Sequence, residues 1–180
     1  MNDQNYFQTN ATTRWFFLPK KRGVLLMANI PVQGSRVYAF DGTTITRLSC
    51  LKTIDLGGDS VTRIETTCLD EPDTKTYEPG LSDPGQGSFG YDLDDENESH
   101  DKIEEWAIEK KKGLQFYIGS RDSTDAPTVT SGAVTLPTTR TWWSFMGSLS
   151  NAMPAFEADS NVAYTVTLER STRVVRTPKT

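Results

Sequence analysis

Hydrophobic and polar positions alternate most cleanly near the C-terminal end of the chain. Val162, Tyr164, Val166 and Leu168 interleave with mostly polar neighbours, and this period of two predicts a half-buried strand over residues 161–170. The same alternation, in shorter form, places Leu114, Phe116 and Ile118 on one face of a strand over 114–118. Further strands are expected over 36–40, closed by the Asp41-Gly42 turn, over 133–136, and over the aromatic-rich run 141–149. Residues 150–160, with Met153-Pro154 and Phe156, read as a loop. Two Thr- and Ile-rich runs, 46–54 and 61–69, are joined through Asp55-Leu56-Gly57-Gly58-Asp59-Ser60 and complete the strand set. The second run would carry Ile64, Thr66 and Cys68 on one face.

Two stretches break this β pattern. Over 99–112 the apolar period changes to that of a helix, with Ile103, Trp106 and Ala107 forming one narrow stripe. Ser99 is the expected N-cap, Asp101 lies in the first turn, Lys110-Lys111-Lys112 occupy the negative end, and Gly113 suits the position beyond it. The second exception is the arm over 70–90. Pro72, Pro79-Gly80, Pro84-Gly85 and Gly87 interrupt any regular ladder, and the segment is too long for a tight hairpin connection. Tyr77, Leu81 and Phe89 are apolar residues in this polar context that need a burial partner. About seven short strands and one helix give a mainly β fold, a β-sandwich or small barrel with the helix covering one edge. Residues 27–180 are expected to form one domain. Residues 1–26, with the aromatic knot Trp15-Phe16-Phe17 and the cluster Lys20-Lys21-Arg22, show no sustained period. They read as an N-terminal extension, either a mobile arm or a mis-assigned start, with Met27 opening the domain.

Composition adds a partner constraint. Apolar residues make up 36% of the 180 residues, charged residues 24%, and the net charge is −5. An acidic balance argues against a clamp on nucleic acid held by phosphate neutralisation. It is compatible with a surface that nucleic acid passes without sticking. The charge is uneven: residues 69–105 hold thirteen acidic side chains against Lys75 and Lys102. Residues 1–36 hold five basic residues and only Asp3. Cys50 and Cys68 lie on the two runs beside the arm and are expected as free, buried thiols. No apolar run has the length of a membrane span, and the apolar stretch 23–28 is too short and too late for a signal peptide.

No catalytic pattern stands out along the same residues. His100 is the one histidine, has no partners at metal-ligand spacing, and is expected at the surface. Gly85-Gln86-Gly87 lacks the third glycine of a phosphate-binding loop. The run 92–97 opens like a calcium loop but has neither Gly at its sixth position nor Glu at its twelfth, which is Ile103. Trp142 and Trp143 point to opposite faces of a strand, so one belongs to the core and the other to an outer surface or interface. No catalytic, cofactor or metal site is expected, and the chain reads as one that binds and assembles.

Three stretches carry a specific resemblance. MANIPVQGSRVYAFDGT at 27–43, LSCLKTIDLGGDSVTRIETTCLDEPDTKTYEPGLSDPGQGSF at 48–89, and SGAVTLPTTRTWWSFMGSLS at 131–150 resemble the major tail tube proteins of long-tailed, lambda-like phages. NVAYTVTLERS at 161–171 fits the final strand of that family, and the likeness covers roughly 27–171. It implies a β-sandwich flanked by a helix, similar to the tube protein of type VI secretion. It also implies a structural virion protein, assembled in the host cytoplasm, whose hexameric rings stack on a tape-measure protein. Tail terminator and tail tip proteins would be its other partners, and DNA would pass through the lumen during ejection without specific binding. The segment matching the family's long loop would reach a neighbouring subunit or ring through Asp73, Lys75, Tyr77, Pro79, Leu81 and Phe89, while Ile103, Trp106 and Ala107 pack the flanking helix. The alternative is a carbohydrate-binding β-sandwich adhesion module using Trp142 or Trp143 and the loops, which monomeric behaviour with glycan binding would favour.

Overall fold

The computed structural model describes residues 29–180. The expected extension over residues 1–26 and the start at Met27 lie outside the described residues. Among the described residues twelve strands and one helix follow in order. They are β1 (Arg36–Phe40), β2 (Ile45–Leu48), β3 (Leu51–Asp55), β4 (Ser60–Glu65), β5 (Tyr77–Asp83), β6 (Gln86–Asp92), α1 (Glu98–Glu109), β7 (Leu114–Gly119), β8 (Thr128–Thr130), β9 (Ala133–Thr135), β10 (Trp142–Ala155), β11 (Ala163–Arg170) and β12 (Val175–Thr177). The main sheet is antiparallel, with strand order β2-β1-β7-β10-β11-β6-β3 and β12 also paired to β10. β2 and β3 stand at opposite ends of that order, yet only Ser49 and Cys50 separate them. The sheet therefore curls into an open barrel whose corner is turned by one bent strand.

That corner explains why residues 46–54 are two strands and not the single one expected. Cys50 adopts φ 58, a left-handed conformation that ends one pairing and re-aims the chain towards β6. The bend is held from the helix side. The Ser49 backbone N–H donates to Ser99 Oγ at 3.1 Å, and Ser49 Oγ donates to Asn97 Oδ1 at 3.1 Å. The helix starts slightly earlier than the sequence indicates because Asn97, rather than Ser99, is the N-cap: its Oδ1 accepts from Ser99 N at 3.1 Å and from Ser99 Oγ at 2.7 Å. It ends at Lys110, itself left-handed at φ 50, so the lysine triplet and Gly113 lie beyond the last turn.

His100 is buried, 1% exposed, and not the surface residue expected. Its Nδ1 accepts from the Asp94 backbone N–H at 3.2 Å, its Nε2 lies 3.2 Å from the Ser49 carbonyl oxygen, and its ring lies on Tyr91 with centroids 4.4 Å apart. Burial pushes the Tyr91 hydroxyl up to about 12, with the nearby Glu104 carboxylate adding to the effect.

The apolar stripe of the helix is as the sequence indicates. Ile103, Trp106 and Ala107 are buried against the inside of the barrel, where they meet Leu48, Phe89, Phe145, Leu149 and Val166 in one cluster. A second cluster lies on the opposite face of β1, β7 and β10. Tyr38, Phe40, Tyr117 and Trp142 pack there under Val129, Val134 and Leu136 of the β8–β9 hairpin and the chain after it. Both faces of β1 are thus covered, and nearly all of it is buried. Trp142 and Trp143 do point to opposite sides: Trp142 is buried in the second cluster, and Trp143 is half-buried against the first.

The Arg140 guanidinium carbon lies over the Trp142 ring, 4.2 Å from its centroid, and the guanidinium donates to the carbonyls of Ser123 at 2.9 Å and of Asp125. Backbone dipoles face its two terminal nitrogens, while its buried Nε has no hydrogen-bond partner. β10 runs to Ala155, past a left-handed Asn151 (φ 50), so residues 150–155 extend the strand that was expected to give way to a loop.

Asp41 closes the β1–β2 hairpin. Its Oδ1 accepts from the backbone N–H groups of Thr43 (2.9 Å) and Thr44 (2.7 Å) and from Thr43 Oγ1 (2.8 Å). Burial pushes its carboxyl up, but these bonds, with the Lys111 ammonium 3.7 Å away, outweigh burial and hold it well below the usual carboxylate range. Asp41→Ala should cost about 1–2 kcal/mol at neutral pH after allowance for solvent screening. A folded pKa below the unfolded one, about 3.9, makes this contribution full above the unfolded value and lost as pH falls through the folded one. The gap in Tm between parent and variant should therefore narrow on acidification below about pH 4. A gap that stays constant to lower pH would show that the carboxylate charge contributes nothing to the turn.

Candidate assembly surface: the arm formed by β4 and β5

Residues 60–83 fall in the longest stretch of the described chain with no residue in either apolar cluster. The arm is not the structureless loop expected over 70–90. Tyr77–Asp83 pairs with Ser60–Glu65 as a separate antiparallel ribbon, and Gln86–Asp92 is an interior strand of the main sheet. Two local features explain the difference. Pro79 is tolerated because it sits in a two-stranded ribbon beside an irregular register between Val61 and Arg63. The glycines of 85–90 permit close backbone approach where a side chain would not fit.

Every residue of β4 is exposed, and every residue of β5 except Gly80 is exposed. A two-stranded hairpin with no covered face is marginal in water by itself. It is held by short-range contacts. The Arg63 guanidinium lies over the Tyr77 ring, 4.2 Å from its centroid, and Lys75 Nζ is 3.0 Å from Glu65 Oε2. Thr66 N donates to the Thr76 carbonyl, and Thr76 N donates to Thr67 Oγ1, both at 2.9 Å. Exposed pairs of this kind contribute little each. The six residues of β4 alone carry the chain roughly 20 Å from the root.

The residues expected to meet a neighbour divide into two groups. Asp73, Lys75, Tyr77, Pro79 and Leu81 all lie on the exposed ribbon or its tip, with Leu81 87% exposed. Phe89 does not belong with them. It is 0% exposed in β6, edge-on to Phe116 with centroids 5.6 Å apart, so its burial partner is this chain's own core. Sequence reading assigned Ile64 to a face but not to the site, and passed over Val61. Both are exposed apolar residues on β4, paired across the ribbon with Ser82 and Glu78. Cys50 and Cys68 are free, as expected, but exposed and not buried, Cys50 at the barrel corner and Cys68 towards the arm's tip. Among the described residues no group of three His, Cys, Asp or Glu side chains is placed to hold a metal ion. No helix among them is long and apolar enough to cross a membrane. Of the two tryptophans the adhesion alternative would use, Trp142 is buried and Trp143 half-buried, so neither stands open as a sugar platform.

A barrel with a covering helix and an uncovered, 24-residue two-stranded arm (residues 60–83) is the geometry on which comparison with known proteins decides. Residues 28–180 match the lambda-like phage tail tube (TTP) family. The chain belongs to that family. It is a structural protein of the phage tail, located in the virion, and its family is not one of enzymes. "Structural protein 3" of Pseudomonas phage PAJU2 is 28% identical over 159 residues, covering 83% of this chain and 94% of that protein. The SPP1 tail tube, 11% identical, superposes with a TM-score of 0.58 over 83% of this chain and 80% of that one. The tail of an empty gene transfer agent particle, refined with C6 symmetry, is 8% identical with a TM-score of 0.55 over 83% and 99% of the two chains. At these identities the two solved structures speak to the fold of this tail tube protein, which they share.

Proposed function

We propose that this tail tube protein forms six-membered rings that stack through the β4–β5 arm into a tube along which the phage genome leaves the virion. The observation that carries the proposal is the arm itself. A ribbon with Val61, Ile64, Tyr77 and Leu81 in water, Val61 and Ile64 being three apart on one strand and so on opposite faces, gains stability where either face is covered by another subunit. The C6 symmetry of the gene transfer agent tail, whose fold is shared, supports six as the ring number. The sheet ends on β2 and β3, edges that lateral pairing with neighbouring subunits would cover. A net charge of −5 suits a conduit for DNA, because like charge keeps phosphates from lodging on the wall. A tape-measure protein inside the tube, with terminator and tail tip proteins at its ends, completes the proposed set of partners. Assembly takes place in the host cytoplasm. The domain that does this is residues 27–180, a boundary supported by the family match beginning at Ala28.

Negative-stain electron microscopy of the purified protein, dilute and concentrated, tests the proposal. Hollow tubes or six-fold rings are expected at high concentration. A protein that stays monomeric with tape measure and initiating tip proteins present would overturn it.

A further inference from the structure

The arm leaves the barrel through two backbone segments in direct contact. Residues 55–58 lead out from β3 and residues 85–87 lead back into β6. A Cβ on Gly57 would lie 2.1 Å from the Gln86 carbonyl oxygen, one on Gly85 2.1 Å from the Gly58 oxygen, and one on Gly87 2.0 Å from the Asp55 oxygen. Gly57 also has φ 65, and its N–H donates to Asp55 Oδ1 at 2.9 Å. No residue larger than glycine fits this crossing without moving one backbone away from the other.

Arg170 closes the crossing from the barrel side. It occupies the inward phase of β11, continuing Val166 and Leu168, and its side chain is 1% exposed. An apolar residue is the expected occupant of that position. Two of the three guanidinium nitrogens instead donate to the root of the arm, Nε to the Leu56 carbonyl at 2.6 Å and Nη2 to the Gly57 carbonyl at 3.3 Å and Asp59 Oδ1 at 2.5 Å, and the buried Nη1 has no partner. A buried cation needs such partners. All those named belong to residues 56–59, and the hydrogen bond from Arg170 holds the Asp59 carboxyl below its usual range. Residues 57–85 contribute nothing to either apolar cluster, so no packing of the arm onto the barrel fixes its direction.

We infer that Arg170, Asp59 and the crossing of Gly57, Gly85 and Gly87 form a bolt that fixes the direction in which the β4–β5 arm projects. Arg170 is thereby a positioning residue for stacking one tail tube subunit on the next. Orienting the arm before contact lowers the ordering cost of each subunit addition, since the ribbon does not have to be immobilised at that moment. The inference rests on the arm being the element that joins subunits.

The chain supplies its own reporters, because its two cysteines are Cys50 on the barrel corner and Cys68 on the arm, both free and exposed. Spin labels on this pair in dilute monomer read the arm's direction as a distance distribution by pulsed dipolar spectroscopy. Asp59→Asn and Arg170→Met are compared with the parent, with the thermal transition reporting the fold. If Arg170→Met unfolds, Asp59→Asn carries the test alone, since it alters a partly exposed carboxylate. The distribution is expected to widen about twofold in each folded variant, as local order at the root is lost. The critical concentration for tube growth is expected to rise about tenfold, equivalent to 1.4 kcal/mol per subunit. An unchanged distribution in folded variants overturns the bolt. A widened distribution with normal tube growth leaves the bolt standing and overturns the assembly role of the arm.

Discussion

Replacing residues 61–82 by a short Gly/Ser turn should leave a folded monomer that no longer polymerises. Neither apolar cluster takes a residue from this segment, and β3 and β6, which flank it, pair with each other through Ile54↔Phe89 and Asp55↔Ser88. The loss removes one exposed ion pair, Lys75–Glu65, and one cation–π contact, so the stability change should stay within about 1 kcal/mol. In a domain of this size that corresponds to about 2–4 °C in Tm. Assembly should respond in the opposite way. Val61, Ile64, Tyr77 and Leu81 are all removed, and with them the apolar surface through which the arm would gain its stability. Negative-stain microscopy and elution volume, read beside the thermal transition, separate the two effects. Normal tubes from the truncated protein would exclude the arm from stacking. A large fall in Tm would show that the ribbon supports the barrel instead.

The second large effect is expected inside the molecule. Trp106 is 2% exposed and lies between α1 and the barrel interior, with Ile103 and Ala107 on the same stripe. Trp106→Ala removes the largest side chain that the helix contributes to the core, and the rigid barrel cannot close over the cavity. A loss of about 3–5 kcal/mol follows. Chemical denaturation with an unchanged m-value measures it directly. A change below about 1 kcal/mol would show that the helix is peripheral to the fold. The two predictions are complementary: the arm matters for assembly and little for folding, and the helix stripe matters for folding first.

How far the sequence reaches depends on whether a feature is carried by neighbours in the chain. Val162 to Leu168 and Leu114 to Ile118 show their strands because alternation is a local signature of a half-covered sheet. The stripe Ile103, Trp106 and Ala107 shows its helix in the same way, and Trp142 and Trp143 separate onto two faces simply by adjacency. The ribbon Tyr77–Asp83 and the core strand Gln86–Asp92 do not show, because Pro79, Pro84 and four glycines carry strong local signals against strand. Those signals are overridden by partners far away in the chain, β4 for the first segment and β11 and β3 for the second. Arg170 left a trace that is readable in hindsight: a charged residue in the inward phase of the most regular strand.

By itself the sequence determined a mainly β domain over most of the chain, one covering helix with its buried stripe, and membership of the tail tube family. Each of these rests on periodicity or on runs of contiguous residues. Only the tertiary structure decided that Phe89 and His100 are interior, that Cys50 turns the barrel corner in the open, and that the arm is an uncovered ribbon bolted at its root. Those outcomes depend on which distant backbone groups meet: the Ser49 and Asp94 backbone at His100, the Gln86 carbonyl at Gly57, and the Leu56 and Gly57 carbonyls at Arg170. Burial and hydrogen-bond satisfaction belong to the closed barrel, and no local window of residues contains them.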